Sequence, residues 1–165
     1  MAVSSIIKTK RDGTLTISDR SDTHSLTIQF EAGDLNVSIP GPAVSVYLDR
    51  GEFGATPSLR YGDDQPITGS FSAYFTEATD AAANLADLLT QTGNIATSWD
   101  STLGVGSEVQ AYTLKWTIEG TEHGDTAPDH SYTFQFCVLS GSISEGDPNT
   151  ISINFTAYDV YPTVT

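Results

Sequence analysis

Arg60-Tyr61-Gly62-Asp63-Asp64-Gln65-Pro66-Ile67-Thr68-Gly69-Ser70-Phe71-Ser72-Ala73-Tyr74-Phe75 carries two signals, one after the other. Its first half, up to Pro66, is dense in Gly, Asp and Pro and reads as a turn-rich loop that ends one element and delivers the chain into the next. From Ile67 the residues alternate. Ile67, Phe71, Ala73 and Phe75 fall on one face and Thr68, Ser70, Ser72 and Tyr74 on the other, the period of a half-buried strand. One helix, over about 79–92, is predicted next. Thr79 or Asp80 can accept a backbone N–H at its start, Leu85, Leu88 and Leu89 share a face at helical spacing, and Gly93 can take the left-handed conformation that ends it.

Outward from this stretch the chain reads as short strands between turn signals. Leu15 and Ile17 mark one after Asp12-Gly13, and Leu26, Ile28 and Phe30 a second that stops at Ala32-Gly33-Asp34. Leu35, Val37 and Ile39 alternate up to Pro40-Gly41-Pro42, and Val44, Val46 and Leu48 resume beyond it. After the helix, Tyr112, Leu114, Trp116 and Ile118 oppose Thr113, Lys115, Thr117 and Glu119. Tyr132, Phe134, Phe136 and Val138 oppose Thr133, Gln135, Cys137 and Leu139, and Ile151, Ile153, Phe155 and Ala157 oppose Ser152, Asn154, Thr156 and Tyr158. The pattern predicts a mainly β fold, an antiparallel β-sandwich or partial barrel with one α-helix. At 165 residues the chain is long enough for one domain with a proper core and short of what two usually need.

Composition narrows the function. Charged residues make up 17% of the chain, with 21 acids against 7 bases and a formal net charge of −14. A DNA-binding surface displaces phosphate counterions with stripes of Lys and Arg, and there is almost nothing here to build one from. An acidic wall instead lets a polyanion pass without sticking. The single Cys137 excludes an intramolecular disulfide and suits a reducing compartment. The apolar run at Met1–Lys8 is too short for a signal peptide and no later segment reads as a membrane span, so a soluble protein made in a cytoplasm is expected. The polar strand faces are rich in Ser, Thr, Gln and Asn and poor in the Lys that blunts exposed edges. An ordinary soluble sandwich and a self-assembling subunit both fit that pattern.

The segment Arg60–Tyr74, followed by an Ala/Leu-rich helix, resembles the tail tube (major tail) proteins of long-tailed bacteriophages and related prophage elements. Gly33-Asp34-Leu35 before it and the alternating strands after it extend the resemblance, more loosely, over most of the chain. The resemblance implies a structural virion protein made in the host bacterial cytoplasm and resident in the tail. Sheets of neighbouring subunits would join into a continuous ring barrel around a channel, the helix would pack outside, and hexameric rings would stack into a tube that delivers DNA into the host. Its partners would be further copies of itself and the tape measure, tail terminator and tail tip proteins, with DNA as a passing, non-sticking cargo.

Two irregular stretches gain a role from that resemblance. Residues 49–66, within which Asp49–Leu59 carries exposed-looking apolar residues, would form the loop that reaches the neighbouring ring, with Arg50, Glu52, Phe53 and Arg60 as contact residues. Arg50 and Arg60 are two of only seven bases, and Arg can bind a partner carboxylate bidentately. The N-terminal segment 1–13, with Lys8, Lys10 and Arg11, would be an arm that orders on assembly. The polar residues Thr68, Ser70, Ser72, Thr113, Thr117 and Glu119 would face the lumen, with Lys115 on that face needing a neighbouring acid to mask it.

Catalytic and cofactor readings find little. Asp63-Asp64 reads as turn chemistry, because adjacent carboxylates diverge and carry no set separation. Glu122, His123, Asp125, Asp129 and His130 are ligand types without a recognised ligand spacing. His24 sits alone in a polar turn. Gly104-Val105-Gly106 lacks the remainder of a dinucleotide fingerprint and reads as a flexible loop, and no nucleophile elbow is present. Neither an enzyme nor a cofactor or metal is expected. The alternative from another class is a carbohydrate-binding β-sandwich module, stacking sugars on Trp99, Trp116 or the Tyr side chains. Against it, Trp116 is in phase with core positions, and Trp99 can equally pack under the helix.

Overall fold

A computed structural model describes residues 13–28, 35–47, 58–75, 84–118 and 129–165. Within these the fold is mainly antiparallel β, with two short helices and no closed barrel. The strands are β1 (Gly13–Ser18), β2 (Ser25–Ile28), β3 (Asn36–Ser38), β4 (Val44–Tyr47), β5 (Ser58–Tyr61), β6 (Ile67–Tyr74), β7 (Tyr112–Ile118), β8 (His130–Ser144), β9 (Thr150–Ala157) and β10 (Thr163–Val164). One sheet runs in the order β2-β1-β7-β8-β9-β6-β3, with β10 beside β8, and β4 and β5 pair only with each other.

The alternation of β6 is realised as expected: Ile67, Phe71 and Ala73 are buried against Ile151, Ile153, Phe155 and Ala157 of β9. Leu15 and Ile17 of β1 and Tyr112 and Leu114 of β7 continue the same core. Two glycines adapt it. Gly69 stands opposite Phe155, whose ring a Cβ at Gly69 would strike, and at Gly141 of β8 a Cβ would strike the Ser152 carbonyl oxygen of β9 and lie 3.1 Å from Leu89 Cδ1.

The helical segment differs from expectation. It comprises two short helices, α1 (Leu85–Thr90) and α2 (Gly93–Ser98), in place of one over 79–92. The start of α1 is capped by Asn84, which accepts the Asp87 N–H at 3.0 Å; Thr79 and Asp80 lie outside the described residues. Gln91, at φ 54°, takes the left-handed position that closes α1, and Gly93, at φ 59°, opens α2. Leu85 and Leu88 are buried and Leu89 half-buried, as their spacing predicts.

Strand β8 departs more deeply. The sequence places Phe134, Phe136 and Val138 on one face, yet Phe134 and Cys137 are the buried pair. Phe136 adopts φ 54°, and the β7–β8 register shifts beside it, from Leu114↔Phe134 to Tyr112↔Cys137. A bulge that inserts one residue reverses the side of every residue after it. Beyond it Leu139 and Gly141 point to the core side and Val138, Ser140, Ser142 and Ser144 away from it.

Candidate assembly surfaces

β4 and β5 form a two-stranded ribbon whose register sets Val44 opposite Tyr61 and Val46 opposite Leu59. Alternation brings these four side chains to one ribbon face. All are exposed, Tyr61 at 80% and the others at 57–63%. The alternation of Val44 and Val46 predicts one buried face; their strand forms, but both side chains are exposed, and among the described residues nothing covers them. The ribbon also corrects the reading of 49–66 as loop throughout, since Ser58–Tyr61 is strand and the turn begins at Gly62. Its base is held by Ala43 N–H to Asp63 O at 3.0 Å and Gly62 N–H to Ala43 O at 2.7 Å. Arg60 is exposed on the ribbon's other face; Arg50, Glu52 and Phe53 lie outside the described residues, as do Lys8, Lys10 and Arg11 of the expected arm.

The residues expected to face a channel fall on one side of the large sheet. Thr68, Ser70 and Ser72 align with Thr156, Asn154 and Ser152 of β9, and these in turn with Val138, Ser140 and Ser142 of β8. Asn36 and Ser38 of β3 extend the same rows. Across β3, β6, β9 and the second half of β8, the described part of this face holds hydroxyl and amide groups, one Tyr and one Val, and no charge. Thr113 and Thr117 share the side in β7, where Thr117 Oγ1 lies 3.0 Å from Ser131 Oγ. Lys115 between them is exposed and directly opposite Thr16 and Thr133, so the masking acid it was expected to need is not a cross-strand neighbour. Glu119 lies outside the described residues.

A third surface was invisible in the sequence. The loop after α2, read as flexible, is tied across its base. Thr102 N–H donates to Ala111 O at 2.9 Å, and the buried Ser101 hydroxyl donates to Val109 O at 2.9 Å while accepting from Ala111 N–H at 3.1 Å. Its tip presents Leu103, Val105 and Val109 to solvent. Arg20 N–H bonds Asp100 O at 3.2 Å, fastening it to the β1–β2 turn.

That turn is built on Asp19, which is buried. Its carboxylate accepts from Thr23 N–H at 3.1 Å, His24 N–H at 3.3 Å and Ser21 Oγ at 3.1 Å, and pairs with His24 Nδ1 at 3.1 Å. Burial alone would raise the Asp19 pKa, but the His24 ring and backbone, Ser21 and the His24 charge together hold it below the ordinary value. His24, far from being isolated, stacks on Trp99 at 6.1 Å. Ser, Asp and Thr favour such local side-chain to backbone bonding, which is the signal that could have located this turn.

Sugar-stacking and metal readings find no site among the described residues. Trp99, the residue that closes α2, is buried and meets Tyr112 edge-on, and Trp116 is half-buried and stacked on Tyr132 at 5.6 Å. No group of three or more His, Cys, Asp or Glu is placed to hold a metal among the described residues; Glu122, His123 and Asp125 lie outside them, and Asp129 and His130 are exposed. No described helix is long and apolar enough to cross a membrane.

No family model and no curated protein matches this chain in sequence. Its fold is similar to that of two solved structures. One is a chain of the anti-feeding prophage (AFP) baseplate, determined by cryo-EM and 6-fold symmetrised, with TM-score 0.59 and 10% identity over 100% of this chain and 97% of that one. The other is a chain in the sheath/tube terminator, in the extended state, of an extracellular contractile injection system, PVC, with TM-score 0.57 and 13% identity over 99% of each chain.

Proposed function

We propose that this protein is a tail tube subunit, a structural, non-catalytic component of a phage or phage-like tail that forms stacked, hexameric rings around a channel for DNA. The observation that carries the reading is the β4–β5 ribbon. A two-stranded ribbon alone is marginal in water, and one whose apolar face no described residue covers is suited to cover by another copy in an assembly. The fold likeness to components of contractile injection systems supports an assembly as the source of that cover. In such an assembly the hydroxyl and amide face of β3, β6, β9 and the second half of β8 suits a channel wall, because that part offers a phosphate backbone no cation to exchange for its counterions, Lys115 of β7 being the one described cation on the same side. Ring and tube neighbours would be copies of the same chain, with tape measure, terminator and tip proteins at the ends and the virion tail as the location.

Negative-stain microscopy of the purified protein over a concentration series tests this. Rings or tubes with a hollow centre are expected. Uniform monomers at high concentration, unchanged on adding a tail-tip nucleus, would defeat it.

A further inference from the structure

We infer that Lys115, set in a cross-strand row of threonines, is a phosphate contact, the one described place where the outward face of the large sheet grips the backbone of a passing DNA. This rests on the reading of the chain as a tube subunit and adds a single grip to an otherwise neutral wall.

Lys115 stands apart by its position. In a chain with 21 acids and 7 bases, it is the only Lys, Arg, Asp or Glu in the described strands of the large sheet. Its side chain is exposed, and its strand lies inside the sheet, between β1 and β8. A lysine commonly blunts an exposed sheet edge against pairing, a role closed to a residue of an interior strand. It is not half of a folding ion pair either, since among the described residues no acid lies within ion-pair distance of it.

Its neighbours are of one kind. Register sets Thr16 of β1 directly opposite it on one side and Thr133 of β8 on the other, and sets Thr27 of β2 opposite Thr16. Thr113 and Thr117 flank it on the same face of β7. Adjacent strands lie about 4.8 Å apart, so an anion held by the ammonium is within reach of these hydroxyls. A phosphodiester carries one charge and several acceptor oxygens, and a point cation among hydroxyl donors is its complement. A docked protein would need an apolar centre to its contact, which this row lacks.

A single cation per copy suits a ligand that must keep moving. Stripes of Lys and Arg hold a duplex by releasing many counterions, whereas one contact releases about one. The row therefore grips weakly, and the uncharged remainder of the face adds nothing to hold the chain back.

The test uses the full chain, imaged for rings, with a short fluorescein-labelled DNA duplex as probe and anisotropy read at about 50 and 200 mM salt. The parent is expected to bind at the lower salt and to lose most binding at the higher. Lys115→Thr, which continues the threonine row and keeps a strand-forming residue, should weaken binding at least about 2- to 5-fold, the range of one exposed ion pair, and lower the salt slope; Lys115→Arg should do neither. Arg20→Gln removes the same charge from the exposed β1–β2 turn and should leave both quantities unchanged. A parent that does not bind at the lower salt, or a Lys115→Thr protein no weaker than Arg20→Gln, would overturn the contact; hollow rings in the same samples would leave the subunit reading standing. Binding lost only in Lys115→Thr, in a protein that stays monomeric, would support the contact and defeat the tube. Tighter binding of poly-glutamate than of duplex would overturn the phosphate assignment in favour of an acidic protein.

Discussion

Replacing Gly69 by Ala adds one methyl group at the point where the sheet is tightest. The new Cβ would clash with Cζ and Cε1 at the edge of the Phe155 ring and lie 2.6 Å from the carbonyl oxygen of Asn36 in β3. Neither neighbour yields freely: Phe155 is 2% exposed and packs on Phe134 at a ring separation of 5.9 Å, and Asn36 O belongs to the three-residue ladder that holds β3 to β6. Forcing a buried ring aside costs about 1–3 kcal/mol, and the shorter unfolded-state entropy of Ala over Gly returns about 0.5–1 kcal/mol. A net loss of about 1 kcal/mol is expected, which for a chain of this size lowers Tm by about 2–4 °C. Urea unfolding followed by far-UV circular dichroism reads it. Gly62→Ala serves as the control, because its Cβ meets nothing closer than 3.4 Å and the change should be neutral or slightly stabilising. Shrinking the ring with Phe155→Leu should recover part of the loss in a double-mutant cycle. A Gly69→Ala protein within about 0.5 kcal/mol of the parent, the scatter of ordinary surface changes, would show that the ring does not occupy that space.

Other perturbations test other parts of the molecule. Gly141→Val would drive a Cβ into the Ser152 carbonyl oxygen of β9 and to 3.1 Å from Leu89 Cδ1, so it should loosen the β8–β9 ladder as well as α1, seen as raised hydrogen exchange at 150–157 and across residues 85–90. Asp19→Asn should cost about 1–3 kcal/mol at neutral pH by weakening a buried, charge-assisted cluster. Because the Asp19 pKa is lowered on folding, its contribution is full above the ordinary value of 3.8 and is lost as pH falls through the folded value, so the difference between parent and variant should shrink below about pH 4. Cys137, whose thiol burial pushes up to about 12, should resist Ellman's reagent in the native protein and react fully in denaturant.

Where each residue's neighbours lie along its own chain, the sequence reading transferred well. The period of Ile67–Phe75 placed β6 and its faces, and the leucine spacing placed the buried side of α1. Val44 and Val46 show the limit: alternation predicts a strand and an apolar face, but burial depends on a partner, and the described residues do not supply one. Phe136 shows another, because a bulge that exchanges Phe136 for Cys137 on the core side swaps one apolar residue for another and leaves no trace in the pattern. Thr79, Asp80 and Asn84 are all acceptable caps, so local preference could not fix where α1 begins. Leu103, Val105 and Val109 are spaced around glycines, and only the Ser101 hydrogen bonds, formed across ten residues, make that stretch a defined shape.

Side chains that touch only water are the ones a folded chain can exchange at little cost, commonly within about 0.5 kcal/mol. Folding stability therefore exerts almost no hold on the outward face of β3, β6, β9 and the second half of β8. Left to drift in a protein with 21 acids and 7 bases, that face would collect charges as the rest of the surface has. Its described part holds none. Its rows of Ser, Thr and Asn form a surface that can hydrogen-bond whatever lies against it without stripping water from an ion.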